Sequence, residues 1–157
     1  VQLSVRSKKH GEHVIFFDEI DYDIIKNYNW HLRKNGSTFY AMTNISGSSV
    51  QMHRIITNPN TGMIIDHINH NGLDNRRCNL RICTILENNR NTVIRKDNKS
   101  GYKGVYWSKQ HKMWRAYIRI DTKPRHIGLF RDSIIAAKAY NDAAIKYFGE
   151  FARVNAI

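Results

Sequence analysis

Cysteine is scarce: Cys78 and Cys83 are the only two among 157 residues. Two thiols cannot build a disulfide scaffold, and they suit a reducing compartment. Long apolar runs are missing as well. Val14-Ile15-Phe16-Phe17 and Ile134-Ile135-Ala136-Ala137 are the longest, whereas a bilayer-spanning helix takes about 20 apolar residues. No secretory pattern opens the chain, and no internal repeat or low-complexity tract interrupts it. Its first residue is Val, so a start further upstream is expected. Acidic side chains run short: 13 Asp and Glu stand against 25 Lys and Arg, a net charge of +12. Such an excess says little about fold but favours a polyanionic partner, either nucleic acid or an anionic membrane surface. What the chain does hold, 41% hydrophobic and 11% aromatic residues, is enough for a core and excludes wholesale disorder. A soluble, intracellular, basic globular protein is expected, of one compact domain or two small modules.

The charge is unevenly spread. Residues 1–50 hold 6 basic and 5 acidic side chains, residues 51–100 hold 8 and 4, and residues 101–157 hold 11 and 4. The strongest phosphate attraction therefore falls in the C-terminal third. The polar stretch Arg95-Lys96-Asp97-Asn98-Lys99-Ser100-Gly101 reads as a hinge. Ahead of it, His13 to Phe17 predicts a buried strand, and Asp18 to Tyr28 a short helix with Ile20, Ile24 and Tyr28 on one face. Trp30-His31-Leu32 and Phe39-Tyr40-Ala41-Met42 flank Lys34-Asn35-Gly36-Ser37 as a hairpin. The acidic group Asp18, Glu19, Asp21 and Asp23 reads as solvated helix-start acids, which the helix macrodipole favours, rather than as a metal site. Residues 1–50 are thus expected to form a small α+β unit without visible chemistry.

The chemically dense stretch runs from residue 52 to 91. Ile64-Ile65 predicts a strand that delivers Asp66 and His67 to its end. Residues 69–79 are rich in Asn and Gly, which supply turn conformations and side-chain-to-backbone hydrogen bonds. Leu80-Arg81-Ile82-Cys83 alternates as a returning strand, and Thr84 with Glu87 three residues on is a capping box opening a helix through Asn91. A hard divalent cation needs oxygen ligands, and the Asp66 carboxylate and Asn88 amide would supply two. Neutral His67, with an ordinary pKa of about 6.5, suits proton removal from water near pH 7. Asn79 would fix the loop and hold the imidazole. His53 has two readings, a phosphate contact or a structural hydrogen bond. Cys78 and Cys83 are too few for a structural zinc site.

Asp66-His67, Asn79 twelve residues after His67 and Asn88 twenty-one after it resemble the ββα-metal motif of HNH endonucleases. The surrounding text agrees: Met52-His53-Arg54, Asp66-His67-Ile68-Asn69 and Asn79-Leu80-Arg81. The resemblance is to the phage and intron-encoded homing branch, where the last His of the name is Asn. It implies Asp66 and Asn88 as metal ligands, His67 as general base, Asn79 as its orienter and Asn75 as a loop brace. It also implies one Mg²⁺ or Mn²⁺ per site, no small-molecule cofactor, and products with 5′-phosphate and 3′-hydroxyl ends.

Beyond the hinge, residues 101–108, 113–120 and 125–130 each read as a strand. In the second, Trp114, Ala116, Ile118 and Ile120 alternate with Arg115, Tyr117 and Arg119. A helix should run from an Asp132 N-cap to Phe148 and stop at Gly149, with Ala136, Tyr140, Ala143 and Tyr147 facing the sheet. Trp107 and Trp114 are expected in the core. Gly104-Val105, Trp114-Arg115-Ala116, Ile127-Gly128-Leu129-Phe130, Ala136-Ala137-Lys138-Ala139-Tyr140 and Ala143-Ala144 resemble the APETALA or ethylene-response-factor DNA-binding domain. That resemblance places Lys103, Tyr106, Arg115, Tyr117, Arg119, Arg125 and His126 at DNA-facing positions.

The expected architecture is α+β: an N-terminal α+β unit (1–50), a ββα-metal module (51–94), a linker (95–100), and a three-stranded antiparallel sheet packed on one helix (101–157). The expected function is divalent-metal-dependent, site-specific cleavage of double-stranded DNA by a homing-type endonuclease, with nicking of one strand allowed. Its setting would be the cytoplasm of a bacterial or phage-infected cell, without a membrane partner, as a monomer or a dimer. The rival reading is a DNA-binding regulator whose nuclease module has decayed; intact Asp66, His67, Asn79 and Asn88 count against it.

Overall fold

The computed structural model describes residues 1–92, 94 and 97–157. Among these residues the fold is α+β, with four α-helices and ten strands arranged in four small antiparallel sheets. None of the helices is long and apolar enough to cross a membrane. Two compact units are present, residues 1–84 and 85–157.

The first unit opens with a hairpin of β1 (Gln2–Ser7) and β2 (Gly11–Phe16), which sets Leu3 opposite Ile15 and Val5 opposite His13. The single helix expected over residues 18–28 is instead a 3-10 turn, Glu19–Asp21, followed by the short α1 (Tyr22–Ile25). Ile20 is 78% exposed, while Ile25 and Asp21 point inward. The cause is a long-range ion pair. Arg77 donates from Nη2 and Nε to the two Asp21 carboxylate oxygens at 2.6 and 3.0 Å, and its backbone N–H bonds Asp18 at 2.7 Å. Asp18 and Asp21, two of the four acids expected in solvent, thus tie this segment to Arg77, while Glu19 and Asp23 remain exposed. A bidentate Arg–carboxylate pair outweighs the modest macrodipole preference.

The expected hairpin is present as β3 (His31–Asn35) and β4 (Thr38–Ile45), and β5 (Ser48–Gln51) adds a third strand. After α2 (Met52–Thr57), β6 (Ile64–His67) pairs with β7 (Leu80–Cys83) in the register Ile64–Cys83, Asp66–Arg81 and His67–Leu80. One core draws on β1, β2, α1, β4, α2 and the loop after β6: Val5, Ile15, Phe17, Ile25, Ala41, Met52, Ile56 and Leu73, with Leu32 of β3 and Leu80 of β7 packed against it. Each large aliphatic or aromatic side chain buried there contributes roughly 1.5–3 kcal/mol. That core crosses residue 50 and links the elements before it to those after it within one compact unit, residues 1–84. Burial of Met52 and Ile56 on the inner face of α2 is what joins them.

The second unit begins with α3 (Ile85–Arg90), ten residues before the expected linker; of that linker, Arg95 and Lys96 lie outside the described residues. The antiparallel sheet has the order β8 (Val105–Ser108), β9 (Met113–Ile120), β10 (Lys123–Phe130). Against it packs α4 (Ser133–Phe148), whose N-cap Asp132 accepts from Ile134 N and Ile135 N at 2.7 and 3.0 Å. Ala116, Ile118, Ala136, Ala137, Tyr140, Ala144 and Phe148 are buried. Two expectations shift. Tyr147 is exposed and Phe148 takes the inward position, because the helix face drifts past the last turn. Trp107 is 48% exposed on the edge strand β8, edge-on to Trp114 at 5.3 Å, whereas Trp114 packs on the core as expected.

Gly104 has a φ of 73°, and a Cβ there would lie 2.1 Å from the Tyr140 ring. Gly104→Ala therefore combines a left-handed backbone penalty with overpacking, together about 2–4 kcal/mol. Its thermal midpoint is expected to fall by about 10 °C or more; a midpoint equal to that of the wild type in a circular-dichroism melt would refute the close approach.

Candidate active site

Antiparallel pairing decides which residues meet at the end of β6. Asp66 lies across from Arg81, and Arg81 Nη2 is 2.5 Å from Asp66 Oδ2, with both side chains nearly buried. His67, the next residue, turns to the opposite side of the strand. There its ring stands edge-on to His53 of α2, centroids 4.9 Å apart, and to Tyr40 of β4 at 5.7 Å. Tyr40 and His53 are also 5.7 Å apart, which closes a ring of three. His67 Nε2 lies 3.4 Å from Asn75 Oδ1. With the amide oxygen accepting from Nε2–H, Nδ1 keeps its lone pair.

Burial pushes the His67 pKa below that of an ordinary histidine, although Asn75, Asp66 and Asp74 pull it upward. His53 is pushed down to about 3, by burial first and then by His67 and Arg54. Both imidazoles are accordingly neutral at pH 7. His53 is 4% exposed, so its role is to pack against His67 and Tyr40 rather than to meet a phosphate at the surface.

Residues 69–79 form a braced loop. Asn79 Oδ1 accepts from Asn69 N at 3.0 Å, and its Nδ2 donates to Asp74 O at 2.7 Å. Asn69 and Arg76 both bond the Asp74 carboxylate; Arg76, the larger influence, holds that carboxyl below its usual pKa. Asn79 thus bonds within the loop, one of the two parts expected of it, and the side chain within reach of the imidazole is that of Asn75. Sequence reasoning missed Tyr40, Asn75 as a histidine partner, and Arg81 as the partner of Asp66. The Met52-His53-Arg54 text was a signal for His53 but gave no sign of its packing.

Asn88 lies on α3, in the second unit, half-buried. Among the described residues no group of three or more His, Cys, Asp or Glu side chains could hold a metal; Cys78 is exposed and Cys83 buried. In the first unit the Asp66 carboxylate is an oxygen donor of the kind a hard cation of the Mg²⁺ type takes, an ion that keeps several waters and uses few protein ligands. Arg81 at Oδ2 is the local constraint on such an ion.

In the second unit, four of the expected DNA-facing residues come together on the sheet. Arg115 Nε donates to His126 Nδ1 at 3.2 Å, its guanidinium lies 5.8 Å from the Tyr106 ring, and Tyr106 and Tyr117 are 5.2 Å apart. Arg119 is exposed on the same face of β9. Two of the expected residues stand apart from this group. Arg125 pairs with Ile118, so the register puts it on the sheet face that packs on α4, where it is exposed. Lys103 is half-buried, and its ammonium donates to Arg90 O at 2.6 Å and Thr92 O at 2.9 Å. Burial, followed by Arg153, lowers its pKa to about 8.

The HNH endonuclease family model matches residues 51–90, which span α2, β6, the braced loop, β7 and α3. An uncharacterized HNH endonuclease of Acanthamoeba polyphaga mimivirus is 32% identical over 154 residues, 94% of this chain and 78% of its own length. Protein 3.8 of Escherichia phage T7 is 36% identical over 92 residues, 59% of this chain and 75% of its own. No solved structure matches. The chain belongs to the HNH endonuclease family. It is a nuclease with a nucleic-acid substrate, from a class that generally depends on divalent metal.

Proposed function

We propose that this protein hydrolyses phosphodiester bonds of double-stranded DNA, with His67 as general base and Asp66 and Asn88 holding one Mg²⁺ or Mn²⁺. The observation that carries the reading is a neutral His67 beside Asp66 at the end of β6, enclosed by His53, Tyr40 and Asn75. His67 Nδ1 takes a proton from the attacking water as its oxygen bonds phosphorus and the bond to the 3′ oxygen breaks. The departing 3′ oxygen takes its proton from solvent water, which leaves 5′-phosphate and 3′-hydroxyl ends. Asn75 keeps the imidazole in the Nε2–H form, and Asn79 keeps the loop that carries Asn75 in place. A bound cation would supply charge stabilisation at the leaving oxygen.

The C-terminal sheet supplies affinity and register as an APETALA-type reader, through Tyr106, Arg115, Tyr117, Arg119 and His126. A cationic, aromatic open face opposite the helix-packed one supports this, since two- and three-stranded sheets can enter the major groove. Relatives in a phage and a giant virus support a homing or mobile-element role. A monomer with one such centre would nick one strand, and cutting both would take two copies or two events.

The test is conversion of supercoiled plasmid carrying a candidate target, by the wild type with Mg²⁺, with EDTA, and by Asp66→Asn. Asn is preferred to Ala because it still offers Arg81 an acceptor in place of the carboxylate oxygen. Cutting that EDTA and the variant both abolish is expected. Tight binding to that target without any cutting would favour the regulator instead. Replacing both Arg115 and Arg119 with Ala should weaken binding and flatten its dependence on log salt by up to about one unit per phosphate contact. A mobility-shift titration with unaltered slope would remove both arginines from the phosphate contacts.

A further inference from the structure

We infer that Lys103 is a positioning residue: it fastens the C-terminal end of α3 to the sheet-and-helix unit, so that the helix carrying Asn88 is held by the DNA-reading domain. This rests on the nuclease reading above and extends it to how the reading domain supports the cutting residues.

The argument begins with the helix. At six residues, α3 is too short to persist alone in water, and its last carbonyls have no partner within the helix. The ammonium of Lys103 reaches two carbonyls at that end, Arg90 O at 2.6 Å and Thr92 O at 2.9 Å. A cation at a helix C-terminus satisfies these groups and opposes the macrodipole. Arg90 adds a second hold on the same turn: its guanidinium lies 4.8 Å from the Phe148 ring and 3.8 Å from Asp121.

Lys103 is itself fixed from behind. Its backbone N–H donates to Asn155 Oδ1 at 2.6 Å, and its carbonyl accepts from Asn155 Nδ2 at 3.2 Å. Asn155, buried, pairs its own backbone with the Asn141 amide of α4 at 2.7 and 3.0 Å. Hydrogen bonds therefore run without a break from α4 through Asn141, Asn155 and Lys103 to the end of α3. Gly104, pressed on Tyr140, seats the next residue against the same helix. A lysine spent on two carbonyls and half removed from water is poorly placed to neutralise a phosphate. Arg115 and Arg119, on the open face, are better placed to do so.

The experiment compares the full chain with Lys103→Met and Lys103→Arg. Amide hydrogen exchange at residues 85–90, mobility-shift titrations against salt, and plasmid cutting with Mg²⁺ at saturating DNA are the readouts. In Lys103→Met, exchange in α3 should quicken about tenfold or more, the scale of losing hydrogen bonds from a charged donor. Protection in β9 and α4 should stay as in the wild type. Turnover should fall by a similar factor at unchanged KM and unchanged salt slope, and Lys103→Arg should restore it. Should the Met variant fail to fold, Lys103→Gln, which keeps an amide donor, takes its place. A salt slope reduced by about one unit, or α3 exchange equal to wild type, overturns the assignment. Loosened α3 in a protein whose wild type never cuts DNA would support the fastening and sink the nuclease reading.

Discussion

Replacing His67 with Ala is expected to slow DNA cleavage by about 10²–10⁴-fold, the range for removing a positioned general base. DNA affinity should stay within about twofold of wild type. The two effects separate because the proposed phosphate contacts, Arg115 and Arg119, lie on the sheet of the second unit, whereas His67 is 5% exposed in the first. Alanine also removes ring contacts with His53 and Tyr40, so some stability will go with it. Cleavage and binding are therefore compared at a temperature where circular dichroism shows the variant folded. Equal loss of both would sink the role as base. Asn79→Ala makes a useful contrast. Its bonds to Asn69 N and Asp74 O brace the loop, so it should lower the melting temperature and reduce cleavage only through the loop.

Much of the site was legible because its elements are local. Ile64-Ile65, the Asn-rich turn and Leu80 to Cys83 announce strand, loop and strand, and the structure has β6, the braced loop and β7 with Asp66 and His67 at the strand end. Asp132 and Gly149 likewise marked the limits of α4, since caps are decided by one or two residues. What failed depended on partners far away in the chain. Asp21 looked like a solvated helix-start acid until Arg77, 56 residues on, pulled it inside, and the expected helix broke there. That Asn75 rather than Asn79 reaches the imidazole has the same origin, because which of two amides gets there is set by loop geometry and not by spacing. Arg125 lies opposite Ile118, on the sheet face that packs on α4, a placement that cannot be read without the partner strand. Tyr40 had no signal at all, because the hairpin that carries it looked purely structural.

Lowering the pH from 7 toward 4 is expected to destabilise the first unit steeply, with His53 as the main cause. Its pKa is about 3 in the folded protein against about 6.5 in an unfolded chain. Between those values the unfolded chain binds a proton that the folded one refuses, so stability rises with pH through the window. It is fully present above about pH 6.5 and is lost progressively as pH falls to about 3. A gap of that size corresponds to about 5 kcal/mol at most, comparable to the whole stability of a small domain. His67, also lowered by burial, acts in the same direction, and Asp74, held down by Arg76, adds its loss at the acid end. The second unit should outlast the first, since the core between its sheet and its main helix is apolar and holds no histidine. Trp30 offers a reporter specific to the first unit, because its indole N–H bonds Ile25 O at 2.9 Å. Urea titrations of the wild type at pH 7, 6, 5 and 4, followed by the Trp30 indole resonance, should show midpoints that fall with each step. His53→Phe keeps a ring between Tyr40 and His67 and removes the titrating group, so its midpoints should fall much less. A wild-type midpoint that holds level from pH 7 to pH 4 would mean that His53 takes its proton without penalty. The buried, neutral pair of histidines beside Asp66 would then no longer describe this site.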